Sequence, residues 1–446
     1  MSELSPNSAG LKAVTLALWE RLHASPVGLR LARGAFWALV GTVISRGLML
    51  LSTVFAARLL GLVGYGELGV VLSTISMLST IAGFSLGQMS TKYVAEFYQK
   101  DPERAGRVIS LSNLFSWITG AAMSIVLFLF ANDIAAHALA APYLGHQLRV
   151  ASLLLLLGSI TGAQVGTLYG FEAFRIIARI NIITGVTSIL AIVSGAWLFG
   201  LDGAIWGTIV SRLASYLAGK AALGRVSRSH GLPMKNPDRF REIGLVWHFG
   251  IPAMMGGVMV GPVIWISNAF VVNQPNGYAE MGIFNAANQL RQLILFFPTT
   301  LASVALPMLS NLQGLGSSRN YRKLFWANLG LSAGSAIAIA IPIAVFAPWV
   351  MARFGASFRM GGSVLILLCL AAVLTATLDG VGQSIASEGR MWSGFGLNLI
   401  WAAVMLIASF ALRRHGAMGL GIATLLAYSV HLVTSSIYVR YRMSRW

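Results

Sequence analysis

The sequence predicts an all-α, polytopic membrane protein with about twelve transmembrane helices. Of its 446 residues, 56% are hydrophobic and only 10% are charged, whereas a soluble domain carries about 25% charged residues. Apolar segments long enough to cross about 30 Å of hydrocarbon recur along the whole chain. Helices satisfy their own backbone hydrogen bonds in that environment, so the segments are predicted to be helical.

Twelve apolar segments account for most of the chain, and we call them spans 1 to 12 throughout. Several are interrupted by Gly or Pro, such as Pro252 and Pro262 in span 7. Such breaks are tolerated where neighbouring helices or a cavity satisfy the backbone. In order, the spans are predicted at 34–58, 66–91, 108–131, 147–171, 176–200, 203–224, 243–271, 279–305, 323–350, 361–387, 391–412 and 417–439.

The longest basic loop, 225–242, divides the spans into two sets of six. We predict a first six-helix bundle at 34–224, a second at 243–440, and cytoplasmic segments at 1–33 and 441–446. Most of the 32 Lys and Arg residues lie in the termini and in loops that follow even-numbered spans. Because basic loops stay on the cytoplasmic side, both termini and the 225–242 loop are predicted to be cytoplasmic.

The segment before span 1 has leucines on one helical face and charged residues on the others over residues 11–22. This pattern fits a short helix that lies on the membrane surface. A solvated tail explains the same residues equally well, and the sequence leaves both interpretations open.

The composition also excludes several classes of function. The net charge of +18 would suggest nucleic acid on a soluble protein, but the charges fall in loops, where membrane topology explains them better. A single cysteine, Cys369, allows no disulfide framework, and the seven histidines show no metal-ligand spacing. The chain also lacks a GxxxxGK[ST] phosphate loop. We therefore expect no nucleic acid, metal or cofactor, and no ATPase within the chain.

The two halves resemble each other. Residues 64–70 read GYGELGV and residues 277–283 read GYAEMGI, and each stretch opens the second span of its half. Weaker echoes pair Asn113 with Asn328 and Asn181 with Asn398. An offset of six spans preserves orientation, so the repeats are predicted to be parallel and related by a pseudo-two-fold axis along the membrane normal. Transporters built this way bind substrate between the halves.

Span 1 carries an arginine, Arg46, about halfway along its length. On a helical wheel Thr42, Arg46 and Thr53 fall within a narrow arc, with Ser45 at its edge. An arginine at a helix centre costs about 2.5–3.5 kcal/mol on the insertion scale, so it should face protein or water. Thr42 and Arg46 are therefore candidate substrate-binding residues; a purely structural, inter-helix arginine is the alternative.

Span 8 carries a second polar stripe. Its amides occupy an arc of about 100°, with Arg291 beside it. These amides are Asn285, Asn288, Gln289 and Gln292. Amides and a guanidinium together can bind sugar hydroxyls and phosphate, although polar residues also join helices within membranes. Arg46 and Arg291 each lie 12 residues from a span end, about 18 Å deep. We therefore predict that both point into one shared cavity.

Two further charges lie inside predicted spans. Asp379 in span 10 is either a proton or ion-coupling site or the partner of a buried arginine. Arg212 in span 6 is either a structural partner or a second cavity charge, and the sequence does not decide between them. Three intramembrane arginines against one aspartate favour an anionic substrate, for which a diphosphate suits the guanidinium fork.

Several motifs resemble bacterial polysaccharide and O-antigen flippases. The first half has AARLLG at 56–61, YG at 65–66 and KYVA at 92–95. The second half has GYAEMGIFNAANQLRQLILFF at 277–297 and ALPMLS at 305–310. The resemblance covers about residues 30–440, and that family belongs to the multidrug/oligosaccharidyl-lipid/polysaccharide exporter superfamily.

The resemblance implies two six-helix bundles around a cleft lined mainly by spans 1, 2, 7 and 8. It implies a flippase, not an enzyme, that carries a polyprenyl-diphosphate-linked oligosaccharide to the outer leaflet of the bacterial inner membrane. Cationic cleft residues would receive the headgroup, and Arg46 and Arg291 lie on matching spans. Many relatives carry an acid in span 7 near where this chain has Ser267 and Asn268, which places ion coupling through span 7 in doubt.

Other functions and partners stay open at this level. A drug or cation antiporter of the same superfamily is one alternative, and a membrane glycan polymerase or ligase is another. The expected partners are membrane lipid, a proton or sodium ion as the coupling ion, and polymerase and chain-length proteins of an exopolysaccharide pathway. The longest outer loop, about 132–146, is short and holds one acid, Asp133, which disfavours the enzyme.

Overall fold

The fold is built from helices throughout the part of the chain that the structure, a computed structural model, describes. No strand occurs in those residues. Eight of their helices are long and apolar enough to span a membrane, and two of the eight are bent and hold two spans each. The prediction of an all-α, polytopic membrane protein is confirmed. The described residues are 26–83, 86–232, 236–250, 258–314, 318–387 and 391–443.

The first bundle follows the predicted spans closely. Spans 1 and 2 share one bent helix, and so do spans 5 and 6. Asp101 caps span 3, because its side chain accepts a hydrogen bond from the Arg104 backbone N–H at 2.9 Å. The helices are Pro26–Gly83, Leu86–Phe97, Pro102–Asp133, Gly145–Ala151, Leu153–Gly170 and Phe174–Ser229.

The two bent helices turn at glycines in the left-handed region. Gly61 has φ 69° and Gly200 has φ 57°, a conformation that glycine adopts readily because it has no Cβ. Beyond Gly200 the two arms pack backbone to backbone, since a Cβ on Gly203 would lie 1.9 Å from the carbonyl oxygen of Gly195. Each bent helix therefore supplies two spans.

The second bundle contains spans 7 to 12. Span 8 lies on the helix Gly277–Gly314 and carries four amides and Arg291. The Pro252 break predicted in span 7 lies outside the described residues, as does the helix predicted at 11–22. The helices are Val260–Val272, Gly277–Gly314, Ser318–Val345, Ala347–Ala352, Gly362–Ser387, Met391–Ala411 and Gly416–Met443.

The halves pack side by side along spans 2 and 7. Trp265 Nε1 donates a hydrogen bond to Thr74 Oγ1 at 2.8 Å. A Cβ on Gly261 would lie 3.2 Å from Met77 Cα. One apolar core continues from the first bundle into the second. The two bundles therefore share a packed interface on this side.

The segment that joins the halves is attached to span 3. Its 3₁₀ turn, Pro237–Glu242, ends in a buried carboxylate that lies 3.1 Å from Arg104 Nε and 3.3 Å from Arg107 Nε. The helix of span 6 runs to Ser229, five residues beyond its predicted end at 224, because basic residues form helix readily outside the hydrocarbon. The linker is thus fixed to the first bundle.

The side of the molecule that carries the linker is called the linker face. The opposite side, called the far face, holds the loops after odd-numbered spans, and the sequence predicts that it lies outside the cytoplasm.

The backbone repeats between the halves. Three loops of the first half each contain a residue with positive φ, and three loops of the second half contain one 215 or 216 residues later. The pairs are Gly61 with Asn276, Ala140 with Gly355, and Gly200 with Gly416. This recurrence supports the internal repeat that the GYGELGV and GYAEMGI segments suggest. Superposition of 34–224 on 243–440 by a rotation of about 180° stays a prediction.

Candidate functional site

A cavity of about 310 Å³ lies between the two bundles. Spans 1 and 5 of the first half and span 8 of the second line it, whereas spans 2 and 7 contribute no described lining residue. The lining combines one guanidinium, two hydroxyls, three amides and three apolar side chains. These are Arg46; Thr42 and Ser45; Asn181, Gln289 and Gln292; and Met49, Leu50 and Leu293. None of these lining residues is acidic.

Span 1 presents its polar face to the cavity because its opposite face packs on span 5. A Cβ on Gly41 would lie 2.5 Å from Ala178 Cβ. One turn further along, Gly185 approaches Ser45 and Leu48. Residues 41, 45 and 48 lie on one side of the helix, so Arg46 and its neighbours face away from span 5. Helix packing therefore aims Arg46 into the cavity.

Arg46 is exposed within the cavity and reaches across to the second half. Its guanidinium carbon lies 5.1 Å from the ring centroid of Phe296 on span 8, a cation–π contact. Arg46 is the single charged residue among the described lining residues. The cavity therefore carries positive charge beside a set of neutral donors and acceptors.

Span 8 contributes two of the predicted amides. Gln289 and Gln292 are three residues apart, so they lie on one helical face with Leu293 and line the cavity together. Gln292 is exposed and Gln289 is half-buried. Both can donate and accept hydrogen bonds to a bound ligand.

Arg291 does not line this cavity, so the predicted cavity shared with Arg46 is corrected. The Arg291 side chain is buried in the second bundle, where Nη2 donates to Thr375 Oγ1 at 3.0 Å. Its guanidinium carbon lies 5.0 Å from the ring centroid of Tyr428. At 100° per residue, Arg291 points about 160° away from Gln289 around the helix. The direction of the Arg291 side chain around the helix therefore differs from the prediction.

The other two amides of span 8 are also outside the cavity lining. Asn285 fits against Gly69 of span 2, where a Cβ would lie 1.7 Å from Asn285 Nδ2. Asn288 accepts a long hydrogen bond of 3.5 Å from Arg291 Nη1. Asn285 therefore packs between spans, which is the alternative role that the sequence left open, whereas Asn288 bonds to its neighbour on the same helix.

The remaining intramembrane charges lie elsewhere. Asp379 is half-buried in the second bundle, has a buried Oδ2 without a hydrogen-bond partner, and lies within electrostatic range of Arg291. Asp379 thus lies in the same bundle as Arg291, and its two alternative roles stay open. Arg212 is exposed on span 6, and Ser267 and Asn268 are buried in span 7. None of the four belongs to the described lining.

The sequence did not single out the lining residue Asn181 or Phe296, whose ring lies beside Arg46. Asn181 was noticed only as an echo of Asn398, although an amide near the start of an apolar span is itself a signal of a polar environment. Phe296 gave no signal, because aromatic residues are common in apolar helices. Their placement depends on how spans 5 and 8 pack against span 1.

Comparison with known proteins identifies the family. Residues 31–313 match the family described as polysaccharide biosynthesis protein. The chain belongs to this family. The match covers the whole first half, the linker and span 8, so it includes all the described lining residues of the cavity.

The chain is also similar to the EPS I polysaccharide export inner membrane protein EpsE of Ralstonia nicotianae. It is 24% identical over 394 residues, which cover 86% of this chain and 88% of the relative. The comparison spans both bundles. This similarity supports a transport protein, because the relatives are named as exporters and not as enzymes.

Solved structures show the same fold. An inward-facing multidrug resistance MATE family transporter of the MOP superfamily superposes with a TM-score of 0.77 at 17% identity, covering 92% of this chain and 98% of that one. An outward-facing MATE transporter gives 0.70 at 15% identity, covering 92% and 96%. The chain is therefore a polysaccharide biosynthesis family member with the fold of a MOP-superfamily transporter.

Proposed function

We propose that this protein is a flippase that moves a polyprenyl-diphosphate-linked oligosaccharide from the inner to the outer leaflet of the cytoplasmic membrane. Alternating access would expose the inter-bundle cavity first to the linker face and then to the far face. The observation that carries the proposal is Arg46, the one guanidinium among the described lining residues of the cavity, which include three amides and no acid.

The chemistry of the cavity suits a diphosphate followed by sugars. A guanidinium offers a planar fork of donors that binds phosphate oxygens in pairs and stays charged at any physiological pH. Asn181, Gln289 and Gln292 can both donate to and accept from sugar hydroxyls. Leu50 and Leu293 provide an apolar wall. In this proposal Arg46 receives the diphosphate, and the amides contact the first sugar.

The size of the cavity limits what it holds at one time. A volume of about 310 Å³ is at the low end of the range of about 300–1,000 Å³ for small-molecule sites. It suits a headgroup with its first sugar better than a long glycan. The polyprenyl tail stays in lipid, and further sugars must lie outside the cavity in this conformation.

A drug or cation antiporter is the second candidate, because the fold is shared with multidrug transporters. A cationic substrate would be repelled by Arg46 and would find no carboxylate among the described lining residues. The polysaccharide-export relative and the family match agree with the anionic, glycan-bearing substrate. Inner-membrane location and cytoplasmic termini belong to the same proposal.

Replacing Arg46 tests the proposal. We expect Arg46→Ala to abolish most surface polysaccharide in a deletion strain complemented by each variant, with lipid-linked intermediate accumulating at the inner leaflet. Arg46→Lys should keep part of the activity, because charge survives while the bidentate fork is lost. Membrane protein level is measured in parallel, since Arg46 contributes little to packing.

Arg414→Ala is the matched control, because Arg414 is an exposed arginine in the loop before span 12 and does not line the cavity. It should export normally. Normal export from Arg46→Ala at normal protein level would refute the headgroup role. If Arg46→Ala loses polysaccharide without accumulation of a lipid-linked intermediate, a different substrate is transported.

A further inference from the structure

Among the residues that the structure describes, several side chains connect the two halves at the far face. Tyr278 donates its hydroxyl hydrogen to the Leu139 carbonyl at 2.8 Å, and Asn273 Nδ2 donates to the Ala138 carbonyl at 2.8 Å. Both bonds connect the second half to the loop between spans 3 and 4. In each bond the two partner residues are more than 130 positions apart in the sequence. The bonds therefore join parts that the chain alone does not hold together.

The first half makes the corresponding contacts to the second. The Tyr65 ring lies 6.5 Å from Phe354 and 6.0 Å from Phe358, measured between centroids. Arg58 Nε donates to the Arg353 carbonyl at 2.7 Å. These partners lie in the loop between spans 9 and 10. That loop is the repeat equivalent of the loop between spans 3 and 4.

The contacts are reciprocal because the two tyrosines are equivalent. Tyr65 is the second residue of GYGELGV, and Tyr278 is the second residue of GYAEMGI. Each reaches the third loop of the opposite half, and those loops contain the matched left-handed residues Ala140 and Gly355. The same motif therefore reaches the equivalent loop of the opposite half twice.

The helices behind the tyrosines leave no passage between them. A Cβ on Gly66 would lie 1.8 Å from the Tyr278 carbonyl oxygen, and a Cβ on Gly282 would lie 2.1 Å from the Leu62 carbonyl oxygen. Spans 2 and 8 thus touch backbone to backbone just below the far face. The far-face contact between the halves therefore includes the backbone of both helices as well as the two tyrosines.

We propose that Tyr65 and Tyr278, each docked on the third loop of the opposite half, form a far-face latch that must release before substrate leaves the cavity. The latch rests on the alternating access of the proposed function, but not on the identity of the substrate. The two tyrosines of the latch make different kinds of contact. Tyr65 is buried and acts through its ring, whereas Tyr278 is half-buried and acts through its hydroxyl.

Two glutamates hold the latch elements in their own halves. Tyr143, in the loop that receives Tyr278, donates its hydroxyl hydrogen to Glu67 Oε1 at 2.7 Å. In the second half, Glu280 Oε2 accepts from the Ala417 backbone N–H at 2.8 Å. These bonds stay within one half, so they can persist while the halves separate. The far-face hydrogen bonds between the halves in the described residues are those of Tyr278, Asn273 and Arg58, and water can replace each of them.

Accessibility of a cysteine in the cavity tests the latch without any substrate. The sole native cysteine, Cys369, is buried and is replaced by alanine. Met49, an apolar lining residue, becomes the reporter cysteine. A membrane-impermeant maleimide is applied from the far face in intact cells and from the linker face in inverted vesicles. With the latch closed, labelling should be much stronger from the linker face.

The tyrosine variants distinguish the hydroxyl hydrogen bond of Tyr278 from the ring packing of Tyr65. Tyr278→Phe removes the hydroxyl bond and should raise far-face labelling several-fold, while labelling from the linker face falls. Tyr65→Phe keeps the ring and should leave labelling unchanged, whereas Tyr65→Ala should raise it. Tyr169→Phe, at the linker-face end of span 4, is the matched control and should behave as the parent.

Three results would overturn the latch. The first is equal labelling of the parent from both faces. The second is parent-like labelling of Tyr278→Phe and Tyr65→Ala, and the third is equal labelling of Tyr65→Phe and Tyr65→Ala. A variant that only unfolds gains labelling from both faces, which distinguishes it from an opened latch. Because no glycan is present, failure of the flippase proposal would leave these results intact.

Discussion

Arg46 and Arg291 lie at similar depths in their spans but have opposite surroundings. Arg46 is exposed in the cavity with Phe296 as its aromatic neighbour. Arg291 is buried between spans 8, 10 and 12, where it contacts Thr375 and Tyr428. A buried guanidinium with hydrogen-bond partners ties helices together, whereas an exposed one is available to a ligand. The two arginines should therefore respond differently to the same substitution.

Arg291→Ala should destabilise the protein, while Arg46→Ala should not. Removing Arg291 deletes an inter-helix hydrogen bond, and such bonds contribute about 1–2 kcal/mol in membrane peptides. We expect a lower thermal midpoint for purified Arg291→Ala in detergent and a reduced membrane level. Arg46→Ala serves as the matched control with an unchanged midpoint. An unchanged midpoint for Arg291→Ala, with loss of substrate binding, would return Arg291 to the binding site.

At the residue scale the sequence predicts depth better than direction. Counting residues from span ends predicts equal depths for Arg46 and Arg291, because rise along a helix is fixed. Such counting could not predict which way the Arg291 side chain points, since the neighbour of each helical face depends on how the bundles pack. Asn181 was missed for the same reason: span 5 meets span 1 only in the folded molecule.

At the element scale, close helix packing orients the cavity wall. Span 1 lies against span 5 through Gly41, Ser45 and Ser52, and the Ser52 hydroxyl donates to the Ser188 carbonyl at 3.2 Å. Small residues allow this approach, as is common between membrane helices. Any side chain that separates the two helices would also turn Arg46 relative to span 8.

Two glycines of span 1 provide a matched test of this packing. A Cβ on Gly41 would meet Ala178 at 2.5 Å, whereas a Cβ on Gly47 would meet nothing within 4 Å. Gly41→Ala should therefore cost about 1–3 kcal/mol through overpacking and lower both the thermal midpoint and export. Gly47→Ala should be neutral or stabilising, because alanine favours helix.

Equal thermal midpoints for the two glycine variants would show that span 1 does not pack on span 5 as described. Export lost only in Gly47→Ala would point to a role for the open side of span 1 that packing does not explain. Both variants keep every polar lining residue, so the comparison isolates the position of the helix.

At the scale of the whole molecule, hydropathy and repeats predicted much of the architecture. The spans agree with the observed helices because apolar length is a strong signal. The bent helices at Gly61 and Gly200 were assigned as separate spans, and the docking of Glu242 on span 3 had no sequence signal. Which spans line the cavity also depends on the packing of the halves, which local sequence does not encode.

The internal repeat connects architecture to mechanism. Equivalent tyrosines, equivalent loops and three pairs of left-handed residues occur in both halves. A molecule with two similar halves can close one face while the other stays open. In the proposed mechanism, the far-face contacts stay closed while a headgroup reaches Arg46 from the linker face.

Reconstituted transport tests the central claim most directly. Purified protein is placed in vesicles that contain a polyprenyl-diphosphate-linked oligosaccharide, and an impermeant glycosidase digests the glycans exposed outside. The account predicts that wild-type protein makes the interior-facing glycans digestible, whereas folded Arg46→Ala leaves them protected as in protein-free vesicles. Two results would contradict the account. In the first, folded wild-type protein leaves the interior-facing glycans as protected as they are in protein-free vesicles. In the second, the glycans become digestible as fast with Arg46→Ala as with wild-type protein.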